Sequence, residues 1–193
     1  MSFELHILGS GAALPTAKRQ ATAQYINCNE RHILIDCAEG TQQQLRKYSL
    51  KLQKIHFILI SHLHGDHFFG LPGLLSTMHL LGRNKKLHVF GPPGLEDLMK
   101  AILAAGGHPL QFDITFQTVE PGPKKLIFED RLIAIHAFAL KHRIPTIGYR
   151  TDEFARAASQ ASSSESFQRV QPGVRLTGLG NVGSHLTQRQ GVA

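Results

Sequence analysis

Cysteine is scarce in this sequence. Only Cys28 and Cys37 occur among 193 residues, and they do not form a C-x-x-C pair. A disulfide framework is therefore not expected, and free thiols in a reducing compartment are the simpler interpretation. No apolar run is long enough to cross a membrane. The chain also lacks an N-terminal basic region followed by an apolar core, so we expect a cytoplasmic protein without a membrane partner.

Acidic residues are also few. The 14 Asp and Glu stand against 21 Lys and Arg, and the formal net charge is +7. Residues 151–193 hold four arginines and three acidic residues, which leaves +6 for residues 1–150. This balance favours a polyanionic partner such as RNA, although a basic protein need not bind nucleic acid.

Internal repeats are lacking, and apolar periodicity fades towards the C-terminus. Hydrophobic residues make up 42% of the chain, as in an ordinary folded protein. From residue 151 onwards Ser, Gly, Gln and Ala dominate. We therefore predict one domain over residues 1–150 and a low-complexity, flexible tail over 151–193.

The chain is organised around one polar stretch, Ser61-His62-Leu63-His64-Gly65-Asp66-His67. An apolar run over residues 55–60 precedes it and predicts a buried strand. Leucines and a methionine at helical spacing over residues 71–78 follow it and predict a helix. The stretch is therefore a loop between a strand and a helix.

Within this loop, His62 and His64 point to the same side because side chains alternate along an extended chain. Gly65 is expected to turn the backbone at unusual dihedral angles, so that Asp66 and His67 face the same small volume. Imidazole and carboxylate ligands at this density are typical of a zinc site. The alternative is a solvated polar loop in which Asp66 caps the following helix.

Shorter elements surround this loop. Strands are predicted over residues 3–7, 23–28, 32–35, 87–90, 112–119, 126–128 and 132–140, and a further helix over 95–103. Thr41 and Gln44 fit a capping box at the start of a short helix. Asp36 ends a strand, where it is either a turn residue or a carboxylate that orients a ligating imidazole.

Four stretches resemble one known family. They are Ile35-Asp36-Cys37-Ala38-Glu39-Gly40-Thr41-Gln42, Ser61-His62-Leu63-His64-Gly65-Asp66-His67-Phe68-Phe69-Gly70-Leu71-Pro72-Gly73-Leu74, Phe90-Gly91-Pro92-Pro93-Gly94-Leu95 and His142-Arg143-Ile144-Pro145-Thr146-Ile147-Gly148-Tyr149. H-x-H-x-D-H is the signature of the metallo-β-lactamase fold. The sequence on either side of this signature and the other three stretches resemble ribonuclease Z, the endonuclease that trims tRNA 3′ ends. The resemblance covers about residues 3 to 150 and implies an α/β fold, a metallo-β-lactamase-like αββα sandwich that is incomplete here.

The resemblance also implies a site for two zinc ions. His62, His64 and His142 would hold the first ion, and Asp66 and His67 the second. Asp66 would further accept a proton from the attacking water. In the loop over residues 14–20, Arg19 corresponds to a contact with RNA, although the loop alone fits a solvated basic segment equally well.

By this resemblance the chain would be a zinc-dependent endoribonuclease that removes 3′ trailers from precursor tRNA, as a homodimer. The family takes a bridging aspartate and a late histidine from its second half. Here Asp152 lies too near His142 to be that aspartate, and the surroundings of His185 do not match. We therefore expect a truncated form with reduced activity. The alternatives are a small-molecule metallo-hydrolase on the same fold and an inactive partial domain.

Overall fold

The computed structural model describes residues 3–13, 16, 19–107 and 109–154. The strands are β1 (Phe3–Gly9), β2 (Ala23–Cys28), β3 (Arg31–Ile35), β4 (Ile55–Leu59), β5 (Leu87–Gly91), β6 (Ile114–Thr118), β7 (Lys125–Glu129), β8 (Ile133–Leu140) and β9 (Thr146–Glu153). The helices are α1 (Thr41–Lys47), α2 (Gly65–Phe68), α3 (Leu71–Leu80) and α4 (Leu95–Ala105), with a 3-10 turn at Leu52–Lys54.

Strands β1 to β6 form one sheet in chain order, and β7 to β9 form a second, antiparallel sheet. In the large sheet β1, β2 and β3 are antiparallel, whereas β3 to β6 run parallel. Each parallel connection contains a helix, as such crossovers require. The carboxyl ends of β3, β4 and β5 therefore meet at one edge of the sheet, where open α/β sheets bind ligands.

Two apolar cores lie on opposite faces of the large sheet. One core joins the sheet to the helices through fully buried residues such as Leu45, Leu74 and Met99. The other joins the two sheets through Phe57 and Ile135. Each such buried side chain contributes roughly 1.5–3 kcal/mol relative to exposure. The layers are thus helix, sheet, sheet, and no described helix covers the outer face of the small sheet.

Most of the predicted elements are confirmed, with ends that shift by at most two residues. The capping box is wrong. Helix α1 begins at Thr41, and its N-cap is Gly40 at φ 81°. The Thr41 hydroxyl instead donates to the carbonyl of Ala38, at 2.7 Å. Gly40 takes the cap because this left-handed conformation costs a glycine little.

Strand β9 was not predicted, and it extends to Glu153, beyond the predicted domain boundary at residue 150. The rest of the predicted tail, residues 155–193, lies outside the described residues. None of the helices within the described ranges is long and apolar enough to cross a membrane.

Candidate metal centre

The histidine loop lies at the carboxyl ends of β3 and β4. The main chain of Asp36 follows β3 and donates to Leu59 O at 2.9 Å. The segment after β3 is also bonded to the loop after β4, because Cys37 N donates to His67 O at 2.7 Å. These bonds place Asp36 directly beside the start of the H-x-H-x-D-H stretch.

Three imidazoles converge at this edge. The ligand atoms of His62, His64 and His142 all lie within 4.8 Å of one another. His62 Nε2 and His64 Nδ1 are 3.0 Å apart. A tetrahedral zinc with Zn–N bonds of 2.0–2.1 Å needs ligand nitrogens about 3.3 Å apart, so this set fits an ion with modest rotation of the rings.

The three histidines come from both sheets. His62 and His64 follow β4 of the large sheet, whereas His142 lies between β8 and β9 of the small sheet. His62 is buried, and His64 and His142 are exposed. The site is therefore formed only when the two sheets pack together, and it stays open to solvent on one side.

A hydrogen-bond network behind these rings fixes their tautomers. Ser61 Oγ donates to Asp36 Oδ2 at 3.1 Å, so the nearby His62 Nδ1, at 3.0 Å from Oγ, must be the donor. His67 Nδ1 donates to the same Asp36 Oδ2 at 2.7 Å. Both rings thus carry their proton on Nδ1, so Nε2 is unprotonated, as a metal ligand must be.

Burial, together with the neighbouring imidazoles of His67 and His64, lowers the pKa of His62 to about 4. The ring is therefore neutral at pH 7. Neutral imidazole is the form that binds metal ions. The low pKa thus suits a ligand more than a solvated surface histidine.

Asp66 and His67 form a second pair beside the three imidazoles, and Asp66 Oδ2 lies 3.7 Å from His67 Nε2. Burial alone would raise the pKa of Asp66. The N–H of Ala13 and the nearby His67 lower it overall, so the carboxylate is ionised at pH 7. Burial alone would likewise lower the pKa of His67, but the hydrogen bond to Asp36 and the charges of Asp36 and Asp66 raise it.

Strand β9 supports the loop from the small sheet, and the sequence reasoning missed this. Ile147 N donates to Ser61 O at 2.9 Å, and the Tyr149 hydroxyl donates to Ile60 O at 2.9 Å. Burial, and then the charge of Asp36, raises the pKa of Tyr149 well above its usual value, so it stays a donor. The signal was the Gly148-Tyr149 pair in the last of the four matching stretches.

The expected role of Gly65 is wrong, because its φ is not positive. Its lack of a side chain matters for space, since a Cβ there would lie 2.2 Å from the ring of Phe69. The requirement for a residue without a side chain is stricter at Gly70. A Cβ there would lie 2.0 Å from the main-chain oxygen of Ala38, and the backbone cannot give way cheaply.

Other candidate residues lie away from the three imidazoles. Arg19 is exposed, and its N–H donates to Thr16 Oγ1 at 3.0 Å. Asp152 lies on the small sheet, 2.6 Å from Arg150 Nε and 3.3 Å from His136 Nδ1. It is not part of the group of three imidazoles. His185 lies outside the described residues.

A family model described as "Anti-Pycsar protein Apyc1" matches residues 3–146. The chain belongs to this family. The match to the Apyc1 family contains Asp36, the whole histidine loop and His142. All the candidate metal ligands thus fall within the matched residues, whereas the supporting Ile147 and Tyr149 lie just beyond them.

Curated relatives of this Apyc1-family chain confirm the resemblance to ribonuclease Z. A ribonuclease Z of Parabacteroides distasonis is 42% identical over 168 residues, which cover 87% of this chain and 55% of the relative. One of Bacteroides thetaiotaomicron is 47% identical over 154 residues, covering 80% and 49%. The chain thus spans about half the length of the curated relatives it matches.

Solved structures confirm the metallo-β-lactamase fold of this Apyc1-family chain. The short form of human tRNase Z superposes with a TM-score of 0.69 at 37% identity, covering 77% of this chain and 63% of that one. The metallo-β-lactamase fold protein YhfI of Bacillus subtilis has a TM-score of 0.61 at 16% identity, covering 77% and 57%. The second likeness concerns the fold alone. That fold implies metal ions, which agrees with the cluster of three imidazoles.

Proposed function

We propose that the chain is the metal-binding part of a zinc-dependent endoribonuclease that removes 3′ trailers from precursor tRNA. The observation that carries the proposal is the convergence of His62, His64 and His142 in front of the Asp36 network. Seven relatives named ribonuclease Z, at 39–47% identity, support precursor tRNA as the substrate. The net charge of +7 also suits a polyanion.

In this proposal His62, His64 and His142 hold the first zinc ion, and Asp66 and His67 contribute to the second. Bound zinc would supply a water acidified to a pKa of about 7 and positive charge for the phosphate oxygens. The protein's own part is to keep the nitrogens deprotonated on the metal side. Ser61 and Asp36 do so by accepting and ordering the Nδ1 protons.

Asp66 is the proposed acceptor for the proton of the attacking water. Its carboxylate is ionised at pH 7, because the N–H of Ala13 and the nearby His67 outweigh the effect of burial. As the water oxygen joins phosphorus, the bond from phosphorus to the tRNA 3′ oxygen breaks. That oxygen takes up a proton, so the products are a tRNA with a 3′ hydroxyl and a trailer with a 5′ phosphate.

Arg19 is the proposed contact with the RNA backbone. It is exposed, and the turn from Thr16 to Arg19 is closed by hydrogen bonds of 3.0 and 3.1 Å. An exposed cation can position a phosphate without reading sequence. We further propose a homodimer in the cytoplasm, where the free thiols of Cys28 and Cys37 stay reduced.

A small-molecule metallo-hydrolase is the second candidate. The matching family model is described by an anti-Pycsar protein and not by a nuclease. A shared fold does not fix the substrate. The open side of the site, where His64 and His142 are exposed, would admit a small ester as well as an RNA end.

One competition experiment separates these candidates. The zinc-loaded chain is given a precursor tRNA with a labelled trailer and bis(p-nitrophenyl) phosphate, separately and together. We expect cleavage that leaves a 3′ hydroxyl, and inhibition of the small ester by the tRNA. Hydrolysis of the ester without RNA cleavage would favour the second candidate. A chain that retains no metal and cleaves neither substrate would be an inactive partial domain.

A further inference from the structure

The carboxylate of Asp66 is held from a distant part of the chain. The main-chain N–H of Ala13 donates to Asp66 Oδ2 at 2.8 Å, across 53 residues. Ala13 has a φ of 59°, which is uncommon for a residue other than glycine. An alanine in this conformation, bonded to a candidate metal ligand, needs a structural reason.

The reason lies in the loop that carries Ala13. Its base is closed by a hydrogen bond of 2.8 Å from Gly11 N to Gln20 O. A Cβ at Gly9 would lie only 1.8 Å from the main-chain oxygen of Ala21, so the two arms of the loop touch through backbone. This close approach fixes where Ala13 lies relative to the sheet, and it directs the N–H of Ala13 at Asp66.

Apart from Ala13, the carboxylate of Asp66 accepts a hydrogen bond from its own main-chain N–H. It lies in the first turn of α2, a helix of four residues, and its other side-chain neighbour is His67 Nε2 at 3.7 Å. Among the described residues, Ala13 makes the only long-range hydrogen bond to this carboxylate. Without that bond the carboxylate could rotate about its side-chain torsions away from His67.

We propose that the main-chain amide of Ala13 is a positioning group for Asp66, and that it sets the affinity of the second metal position. The inference rests on the proposed function, in which Asp66 and His67 bind that ion. Arg19, the proposed phosphate contact, lies six residues after Ala13 in the sequence. Ala13 itself touches neither the metal nor the substrate.

Side-chain mutation tests this poorly. Proline removes the N–H, but its φ is fixed near −65° and cannot reach 59°. An ester in place of the amide at residue 13 removes the N–H alone. Cys28 makes this feasible, because a synthetic peptide of residues 1–27 with L-lactate at position 13 can be ligated to residues 28–193. The same ligation with Ala13 gives the matched control, and Ala13→Gly keeps the N–H and suits the positive φ.

The readouts are zinc affinity at each position, by chelator competition, and the exchange rate of the Ala13 amide. We expect the ester to weaken the second ion by roughly 10–100-fold, as for outer partners of metal ligands, and to leave the first unchanged. Ala13→Gly should bind both ions like the parent. In metal-free protein, Asp66→Ala should speed exchange of the Ala13 amide at least tenfold.

Equal second-ion affinity in the ester and amide proteins would overturn the inference. A control protein that binds no second ion would instead contradict the two-ion part of the proposed function. The amide exchange rate then decides on Ala13 independently. A rate that rises in Asp66→Ala supports the positioning contact, and an unchanged rate removes it.

Discussion

Asp36 Oδ2 accepts a hydrogen bond of 2.7 Å from His67 Nδ1, and through Ser61 it also orders His62. One carboxylate therefore stands behind ligands of both proposed metal positions. The φ of Asp36 is 56°, a conformation that Asp and Asn tolerate better than most residues. This backbone requirement and the network together explain an aspartate at this position.

We predict that Asp36→Asn weakens zinc binding by roughly 10–100-fold. Asn suits the positive φ, but one oxygen becomes an NH₂ donor that faces either the N–H of Ser61 or the N–H of His67. Two donors repel, and the rings lose their fixed orientation. The measurement is zinc affinity by chelator competition, with circular dichroism to verify folding.

Asp152→Asn is the matched control for Asp36. It changes another buried carboxylate beside a histidine, on the small sheet, with His136 Nδ1 at 3.3 Å. Its zinc affinity should equal that of the parent. Equal losses in both variants would mean that the effect of Asp36 is general destabilisation.

We predict that His64→Ala lowers bound zinc at the first position and abolishes metal-dependent hydrolysis. The loss of one of three imidazoles leaves only His62 and His142 in that group. His88→Ala is the control, since His88 lies in β5 outside the group. The measurements are zinc per chain and turnover of a phosphodiester. Parental values for His64→Ala would refute the ligand assignment.

The sequence predicted which histidines lie close together better than it predicted the contacts that support them. H-x-H-x-D-H is a local pattern, so the positions of His62 and His64 could be read from one stretch. The supports from Ala13, Ile147 and Tyr149 are contacts made by the main chain or with the main chain, over 53 to 89 residues. Such contacts depend on how the sheets pack, and residue patterns do not encode them locally.

The start of α1 and the whole of β9 were also not predicted, because both depend on the backbone path and on pairing between strands. Thr41 fits a cap by composition, but the chain enters α1 through Gly40 in a left-handed conformation. β9 was missed because residues 146–149 stood out only as part of the fourth stretch that resembles the family, and not as a strand. Its pairing with β8 is what makes it regular.

We predict that Arg19→Ala weakens binding of precursor tRNA and lowers the salt slope of log K by about one unit. A phosphate contact releases a counterion, so its loss should change affinity and salt dependence together. Hydrolysis of a small phosphodiester should stay unchanged. Lys100→Ala removes the same charge from α4, where the side chain is 66% exposed, and should keep the parental slope. If the two variants behave alike, Arg19 is only part of a solvated basic loop.

We predict that Asp130→Asn lowers the free energy of unfolding by roughly 1–2 kcal/mol at pH 7. Asp130 accepts bonds from Arg31 Nε at 2.7 Å and from the N–H groups of Leu132 and Ile133. Burial alone would raise its pKa, but these donors and the charge of Arg31 lower it. The contribution is therefore present above the unfolded pKa near 3.9 and is lost as pH falls through the lower folded pKa.

Urea unfolding at several pH values tests the Asp130 prediction. The difference between parent and Asp130→Asn should shrink as pH falls below the unfolded pKa near 3.9 and the parental carboxylate takes up a proton in the folded protein. Asp97→Asn, at an exposed position in the first turn of α4, should stay within about 0.5 kcal/mol of the parent. A difference that does not vary with pH would exclude the charge as the cause.

Strand β1 exposes three large apolar side chains on one face of the large sheet. Phe3, Leu5 and Ile7 are 53%, 47% and 51% exposed. They lie opposite Cys28, Ile26 and Gln24 in the register with β2, so they share the face that packs against the small sheet. An apolar stripe of this kind promotes association between molecules.

We predict that the 193-residue chain cleaves precursor tRNA far more slowly than a completed version. Asp66 and His67 are the two proposed ligands for a second ion, and two-metal hydrolysis needs ions about 3.5–4 Å apart. In the described part of the chain no bridging carboxylate sets that spacing. The completed version would join residues 1–146 to the remainder of the Bacteroides thetaiotaomicron ribonuclease Z, which is 47% identical over the shared part.

The two proteins are compared by zinc per chain, by kcat/KM on precursor tRNA and by sedimentation. The short chain should hold one ion tightly and a second ion more weakly, and it should associate as its concentration rises, because its β1 stripe stays exposed. The completed version should hold two ions and cleave faster. His64→Ala in the completed version is the control for metal-dependent turnover. Comparable kcat/KM in both proteins would show that this chain already supplies the missing ligand, and His185 would be the first residue to substitute.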